Sequence, residues 1–395
     1  MKALLLLAAL ARGVELSPIY GFQALGGQYF HRGQNGALSG NASGLVAPAV
    51  RVSESWAVLP VLQSSYQGTK SVVDLVGAGT LFQEQMDHRA SLRGIWSPGG
   101  GRWRLKPSTS YKRQYLKETA DERWGRGLFD YWRFGAGLEG ELVYREPFAV
   151  RTGLDYHVTK FPNYISLESK SPGLARELAG ANVLDSRSIT WTLAGDVPLR
   201  ERLVFDGSLQ LEWRRFPHQR LVSETGAFHE KVRTDATWLV SGGLRMPAEL
   251  NTDLRLLGSF DLTGALANSN QNGFDARTAR YMPGFYDWRE LRASPGVKVL
   301  VGPAREPVIV GFSASVWHRE YPYRTAQDET GAYAGGALKQ RGWLGRASLT
   351  YPMAKRFALL FDAQFGQASS NQRFEQFYQY DYTVANYLFG FSFDY

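Results

Sequence analysis

The sequence predicts an all-β chain that closes into a single antiparallel barrel and crosses a membrane with about sixteen strands, fourteen or eighteen being the alternatives. Three observations carry this. Segments of ten or more residues alternate apolar and polar side chains with period two. The connections between them alternate between short and long. The last nine residues place Tyr387, Phe389, Phe391, Phe393 and Tyr395 at every odd position, with Gly390, Ser392 and Asp394 between them. Side chains of a strand alternate between faces, so one face of this last segment is a continuous aromatic strip. A soluble fold would need a second sheet to cover that strip, whereas a bilayer covers it directly.

Taken in order, the segments open with Lys2, a short apolar run from Ala3 to Leu10, and Ala9-Leu10-Ala11, which reads as a signal peptide over 1–11. An N-terminal segment, 12–44, holds a first strand at 20–31, and the remaining strands fill 45–395. They fall near 45–54, 57–68, 88–97, 102–116, 131–145, 148–162, 187–198, 203–217, 232–246, 252–266, 286–302, 307–323, 340–353, 356–371 and 382–395. The stretch 132–144 shows the pattern well. Trp132, Phe134, Ala136, Leu138, Leu142 and Tyr144 share one face, and Arg133, Glu139 and Glu141 share the other. A helix would group its apolar residues at spacings of three and four. The strand at 20–31 is needed for parity, because a barrel whose chain enters and leaves on the same side requires an even count. Between strands, short turns near 97–101, 145–147, 199–202, 247–251, 302–307 and 353–356 alternate with polar loops near 117–131, 163–186, 220–232, 267–287, 325–341 and 371–381. The stretch 71–85 either hides another pairing or extends its neighbours.

Composition agrees. The 42 Gly, 11 Trp, 20 Tyr and 22 Phe suit strands and turns better than helices. Half-apolar strands explain how a spanning chain can have a mean hydropathy of −0.29. The net charge of +8 arises from interspersed Lys/Arg and Asp/Glu without a basic cluster, which argues against nucleic-acid binding. The lack of Cys excludes disulfides, thiolate metal sites and a Cys nucleophile.

The C-terminal residues resemble the assembly signal of bacterial outer-membrane β-barrel proteins, porin-like in class. Tyr395 supplies the terminal aromatic, Phe393 the residue two before it and Gly390 the glycine five before it. Phe391 continues the strip. Leu388 stands where the family more often has a polar residue. The resemblance implies a multi-pass barrel in the bacterial outer membrane, with outer-membrane lipid and the barrel assembly machinery as partners.

No cofactor is expected. The histidines, at 31, 88, 157, 218, 229 and 318, form no ligand spacing, and no P-loop, nucleophile elbow or dinucleotide fingerprint is present. The nearest approach to a catalytic pair is Asp155 with His157 on one inward face, where a carboxylate could orient an imidazole. Paired polar contacts are the plainer reading, and no enzymatic activity is expected.

The inward face is dense in charge. Its basic members include Arg104, Lys106, Arg133, Arg151, Arg255, Arg292, Lys298 and Arg346, and its acidic members Glu139, Glu141, Asp155, Asp206, Glu212, Asp261, Glu290 and Asp362, with His157 among them. Such a lumen is wet or densely paired, since isolated buried charges are costly. The sequence therefore predicts a porin-like channel for passive diffusion of small polar solutes or ions, constricted by the loop at 163–186, with a short helix over 174–184, or by the loop at 267–287. Arg133, Arg151, Arg292 and Lys298 would give a weak anion preference. The alternatives are a non-conducting scaffold that docks a surface or periplasmic partner and, third, a barrel-embedded hydrolase.

Overall fold

The computed structural model describes residues 15–32, 37–74, 79–99, 101–166, 176–275, 278–374 and 380–395. The signal-peptide expectation at 1–11 lies outside them. Eighteen strand segments join one antiparallel sheet that closes on itself. Two pairs of these segments are single strands interrupted at Pro18 and Pro48, which cannot donate to the ladder, so the wall has sixteen strands.

In chain order they are β1 (Glu15–Ser17 with Tyr20–His31), β2 (Ala37–Val46 with Ala49–Arg51), β3 (Trp56–Gln67), β4 (Glu84–Trp96), β5 (Trp103–Lys117) and β6 (Tyr131–Arg145). There follow β7 (Phe148–Lys160), β8 (Ser186–Arg200), β9 (Leu203–Val222), β10 (Phe228–Asn251) and β11 (Leu254–Ser269). The wall is completed by β12 (Trp288–Val301), β13 (Val308–Gln327), β14 (Tyr333–Ala354), β15 (Phe357–Ser370) and β16 (Tyr382–Asp394). Each strand pairs with its sequence neighbours, and β16 pairs with β1 from Gly21↔Asp394 to His31↔Val384, which abolishes the free edges.

Two sets of boundaries differ from the sequence reading. The second strand is not at 45–54; it begins at Ala37, because Ala37–Val46 pairs along its length with β1. Its Ala, Ser, Gly and Asn residues carry almost no period-two signal. The polar stretches 220–232 and 325–341 are mostly strand, not loop. There β9–β10 and β13–β14 run on as hairpins with only 223–227 and 328–332 left as tips.

One parity of every strand carries large apolar side chains exposed on the outside, among them Leu138, Leu154, Trp213, Leu262, Phe312 and Phe361. Trp132 and Tyr144 lie on this face twelve residues apart, about 30 Å along the membrane normal at a rise of about 3.3 Å per residue and a tilt of roughly 40°. Trp56 and Trp96 stack across β3 and β4 beside the short turns, with ring centroids 6.1 Å apart. A closed barrel with an apolar outer belt bounded by aromatics is the transmembrane barrel of the outer-membrane type.

Candidate functional site: the charged lumen and its inward loop

The opposite parity faces the lumen. Cross-strand register brings its charges together: Glu141 is opposite Arg151 on β7 and Arg104 on β5, and Glu139 is opposite Lys106. The Glu141 carboxylate, almost fully buried, accepts from Arg104 Nη1 at 3.0 Å, Lys106 Nζ at 2.7 Å and Arg151 Nε at 3.1 Å. Lys106 Nζ also reaches Glu139 Oε1 at 2.8 Å, and Arg151 pairs with Asp196. Further round the wall, Arg245 lies 2.6 Å from Asp261 and 3.7 Å from Asp206, Arg346 pairs with Asp362, and Arg214 pairs with Glu212 at 2.8 Å. Replacing Glu141 by Leu leaves three cations short of an acceptor and should destabilise the barrel by about 1–3 kcal/mol. Glu141→Gln should lose less, and a lower urea midpoint by tryptophan fluorescence is the readout.

The expected cation set divides. Arg151 and Arg292 are held by carboxylates, Arg292 by Glu290 at 2.9 Å. Arg133 donates from Nε to Thr159 Oγ1 at 3.0 Å, and its guanidinium lies over the Tyr131 ring. Among the described residues, Arg89, Arg93, Arg133, Arg255 and Lys298 have no carboxylate within ion-pair distance, and neither Asp155, Glu249 nor Asp394 has a basic partner. Arg255 keeps Nε and Nη2 buried without a partner. Asp155 and His157 share a face but make no hydrogen bond to each other. Each instead lies beside a glycine of β6, His157 against Gly135 and Asp155 against Gly137.

The loop folded into the lumen is neither of the two expected. It is the connection between β3 and β4, 68–83, of which 68–74 and 79–83 are described. The Tyr29 hydroxyl, on β1, donates to Lys70 O at 2.7 Å. A small hairpin pairs Ser71–Asp74 with Gly79–Phe82. Asp74 Oδ2 then reaches Arg319 Nη1 on β13 at 3.4 Å and accepts from the Tyr321 hydroxyl at 3.4 Å. Arg319 alternates along β13 with the lipid-facing Phe312 and Val316, so the contact is inside the barrel. At the other end of the loop, fully buried Phe82 packs with Leu116, Phe129, Phe161 and Tyr164, residues of the β5–β6 and β7–β8 regions. The apolar Val73 and Phe82 make this loop an inward element; in the sequence they read only as a possible extra strand pairing.

Residues 176–186 of the loop at 163–186 pack against neighbouring strands and loops. Within its described part, the expected helix is a single 3-10 turn, Arg176–Leu178, and Ile165–Ser166 pairs with Gly180–Ala181. Gln219 Nε2, from β9, donates to Glu177 O at 2.5 Å, and the Phe274 amide donates to Glu177 Oε1 at 3.1 Å. Burial pushes the Glu177 carboxyl above the usual carboxylate range, against the pull of the Phe274 amide and the Tyr286 hydroxyl, and its Oε2 has no partner. A carboxyl raised on folding stabilises the packed loops most below the ordinary carboxylate pKa, and that stability is lost as pH rises through the raised value. Hydrogen exchange at 176–185 and 272–275, corrected for intrinsic rates, should be slower at pH 5 than at pH 8, and Glu177→Gln should remove the difference.

These features define a multi-pass transmembrane β-barrel of the bacterial outer membrane with a charged lumen and one loop folded across it. Similar solved structures are outer-membrane β-barrels. OccD3 (OpdP) from Pseudomonas aeruginosa aligns over 97% of this chain and 93% of its own, at 7% identity and a TM-score of 0.48. OmpT, an outer membrane protein of Vibrio cholerae in its trimer form, aligns over 97% and 100%, at 9% identity and a TM-score of 0.45. CdiB from Acinetobacter baumannii aligns over 97% of this chain and 60% of its own, at 12% identity and a TM-score of 0.48. No protein-family model matches the chain, and no curated protein sequence does.

Proposed function

We propose that the barrel is a channel for passive diffusion of small polar solutes or ions, with the inward loop 68–83 as its constriction. The observation that carries this is the lumen itself. Sixteen strands leave a space too wide for side chains alone to fill, its wall is charged, and one loop narrows it from β1 to β13. The test is single-channel current in a planar bilayer. Discrete conductance steps support the reading, and their absence from correctly folded protein overturns it. The aromatic cluster around Phe82 at the mouth favours one alternative, a non-conducting scaffold, and the same absence of current would favour it.

The ion preference follows from the uncompensated charges, not from the net count. Arg89, Arg93, Arg133, Arg255 and Lys298 outweigh Asp155, Glu249 and Asp394, and lumen charge within about 8 Å of the path acts before salt screens it. A weak anion preference is expected in reversal potentials under a salt gradient. Arg133→Glu with Lys298→Glu should move the reversal potential toward cations. Arg151→Glu should move it in the same direction but less, because one exchange alters the lumen charge half as much as two, Glu141 keeping Arg104 and Lys106 while Asp196 loses its partner. A wild type that prefers cations contradicts this assignment.

A further inference from the structure

The inward loop and strands β12 to β16 enclose a polar cavity of about 300 Å³. Two adjacent rows of lumen side chains build it. The lower row runs Arg292, Trp317, Gly342, Ala368, Tyr382, each directly opposite the next. The row above runs from Glu290 through Arg319 to Gln340, and Asp74 closes the cavity from the loop side.

The middle of the lower row is small, Gly342 and Ala368, and is flanked by the aromatic Trp317 and Tyr382, with Arg292 beyond Trp317. A Cβ on Gly342 would lie 2.7 Å from Cε2, Cζ2 and Nε1 of Trp317, so the indole lies flat over a position that only glycine leaves open. Trp317 thus has one ring face against the wall, and it lines the cavity together with Tyr382. The row above supplies planar hydrogen-bonding groups. Its charges cancel among themselves: Glu290 takes Arg319 at 2.8 Å and Arg292 at 2.9 Å, and Asp74 takes Arg319 at 3.4 Å. An ionic solute would have to break one of these pairs and leave a charge unmatched. A neutral molecule with many hydroxyls need not, because hydroxyls both donate and accept and can add to carboxylate and guanidinium edges already in use. A ligand with one apolar face and a polar rim fits an aromatic platform edged by such groups.

We propose that this cavity is a saccharide site: it holds a neutral sugar of mono- to disaccharide size, its C–H face on Trp317 and its hydroxyl edge on Arg292, Glu290 and Gln340. As the solute class of the channel this rests on the diffusion reading, whereas binding itself can be measured without conduction. The full chain in detergent or nanodiscs is titrated with maltose and glucose by calorimetry, and the same sugars are added to single channels. Saturable heat and discrete, saturable interruptions of current are expected. Trp317→Leu should weaken binding at least tenfold. Gly342→Ala should also weaken it, since its Cβ displaces the ring. Trp317→Phe should retain part, and Trp343→Ala, one residue away on the lipid face, should bind as wild type. Currents with no saturable sugar effect and no heat overturn the site and leave the channel standing. Trp317-dependent binding without current overturns the channel and leaves the site. Equal binding by wild type, Trp317→Leu and Gly342→Ala, or displacement of the sugar by glutamate or phosphate at lower concentration, overturns the saccharide assignment.

Discussion

Deletion of Tyr395, or replacement of Phe393 and Tyr395 by Ala, is expected to abolish outer-membrane assembly. The last residues hold the closing seam as well as an aromatic strip. The Tyr395 amide donates to Tyr20 O at 2.8 Å and the Tyr20 amide donates back to Tyr395 O at 3.1 Å, so the pair closes the sheet at its periplasmic end. Their rings stack with centroids 4.5 Å apart, and the Arg356 guanidinium lies 3.4 Å from the Tyr395 ring centroid. Phe357 and Phe391 stack across β15 and β16, and Phe391 also meets Phe22 of β1. Gly390 lies against the β1 backbone, where a Cβ would run into the Ala24 carbonyl oxygen, so Gly390→Ala should also impair closure. The assay is the fraction of heat-modifiable protein in outer-membrane preparations. Wild-type levels of the truncated chain would show that the seam closes without its last residue.

The second large effect separates the two faces of the wall. Arg in place of Leu138, Leu154 or Phe361 should cost about 2–4 kcal/mol near the membrane midplane, because a guanidinium there must leave water for hydrocarbon. Leu138 and Leu154 are direct partners on β6 and β7, and both project outward. Arg at Ser208 or Ser259 should cost far less. Those serines face the lumen, with Ser208 hydrogen-bonded to Ser241 at 2.7 Å and Ser259 opposite Arg245. Urea unfolding in detergent-free bilayers gives the comparison, and equal losses on the two faces would contradict a lipid-covered exterior.

What could be read before the structure tracks where the bilayer acts. Inside the membrane the wall must alternate, so strands such as 132–144 and the paired face of Glu139 and Glu141 are written into period two. Above the membrane that constraint lapses. The upper parts of β9, β10, β13 and β14 lose the regular alternation of apolar and polar residues and read as loop, although backbone pairing continues. The strand Ala37–Val46 is inside the wall but too poor in large side chains to signal itself. Partner choice is a further step removed. Parity places Arg151 and Arg292 inside, yet only the register shows that Glu141, Asp196 and Glu290 hold them. Trp317, Arg319 and Tyr382 were open to the same parity argument, being the inward positions of 307–323 and 382–395. Asp74 was not, because its role depends on a loop crossing to a strand far away in sequence.

The hairpins of β9–β10 and β13–β14 have a further meaning at the cell surface. With strands of 20 to 24 residues, they run on beyond the shorter strands of the wall, and their tips lie at 223–227 and 328–332. An antibody, a phage or a neighbouring cell meets these tips first. The tip at 328–332 is the freer of the two to drift under recognition from outside while the wall below stays fixed, because Glu224 O and Gly226 O of the other tip accept from the Tyr281 amide and from Arg176; an epitope inserted at 328–332 should be displayed without disturbing the barrel.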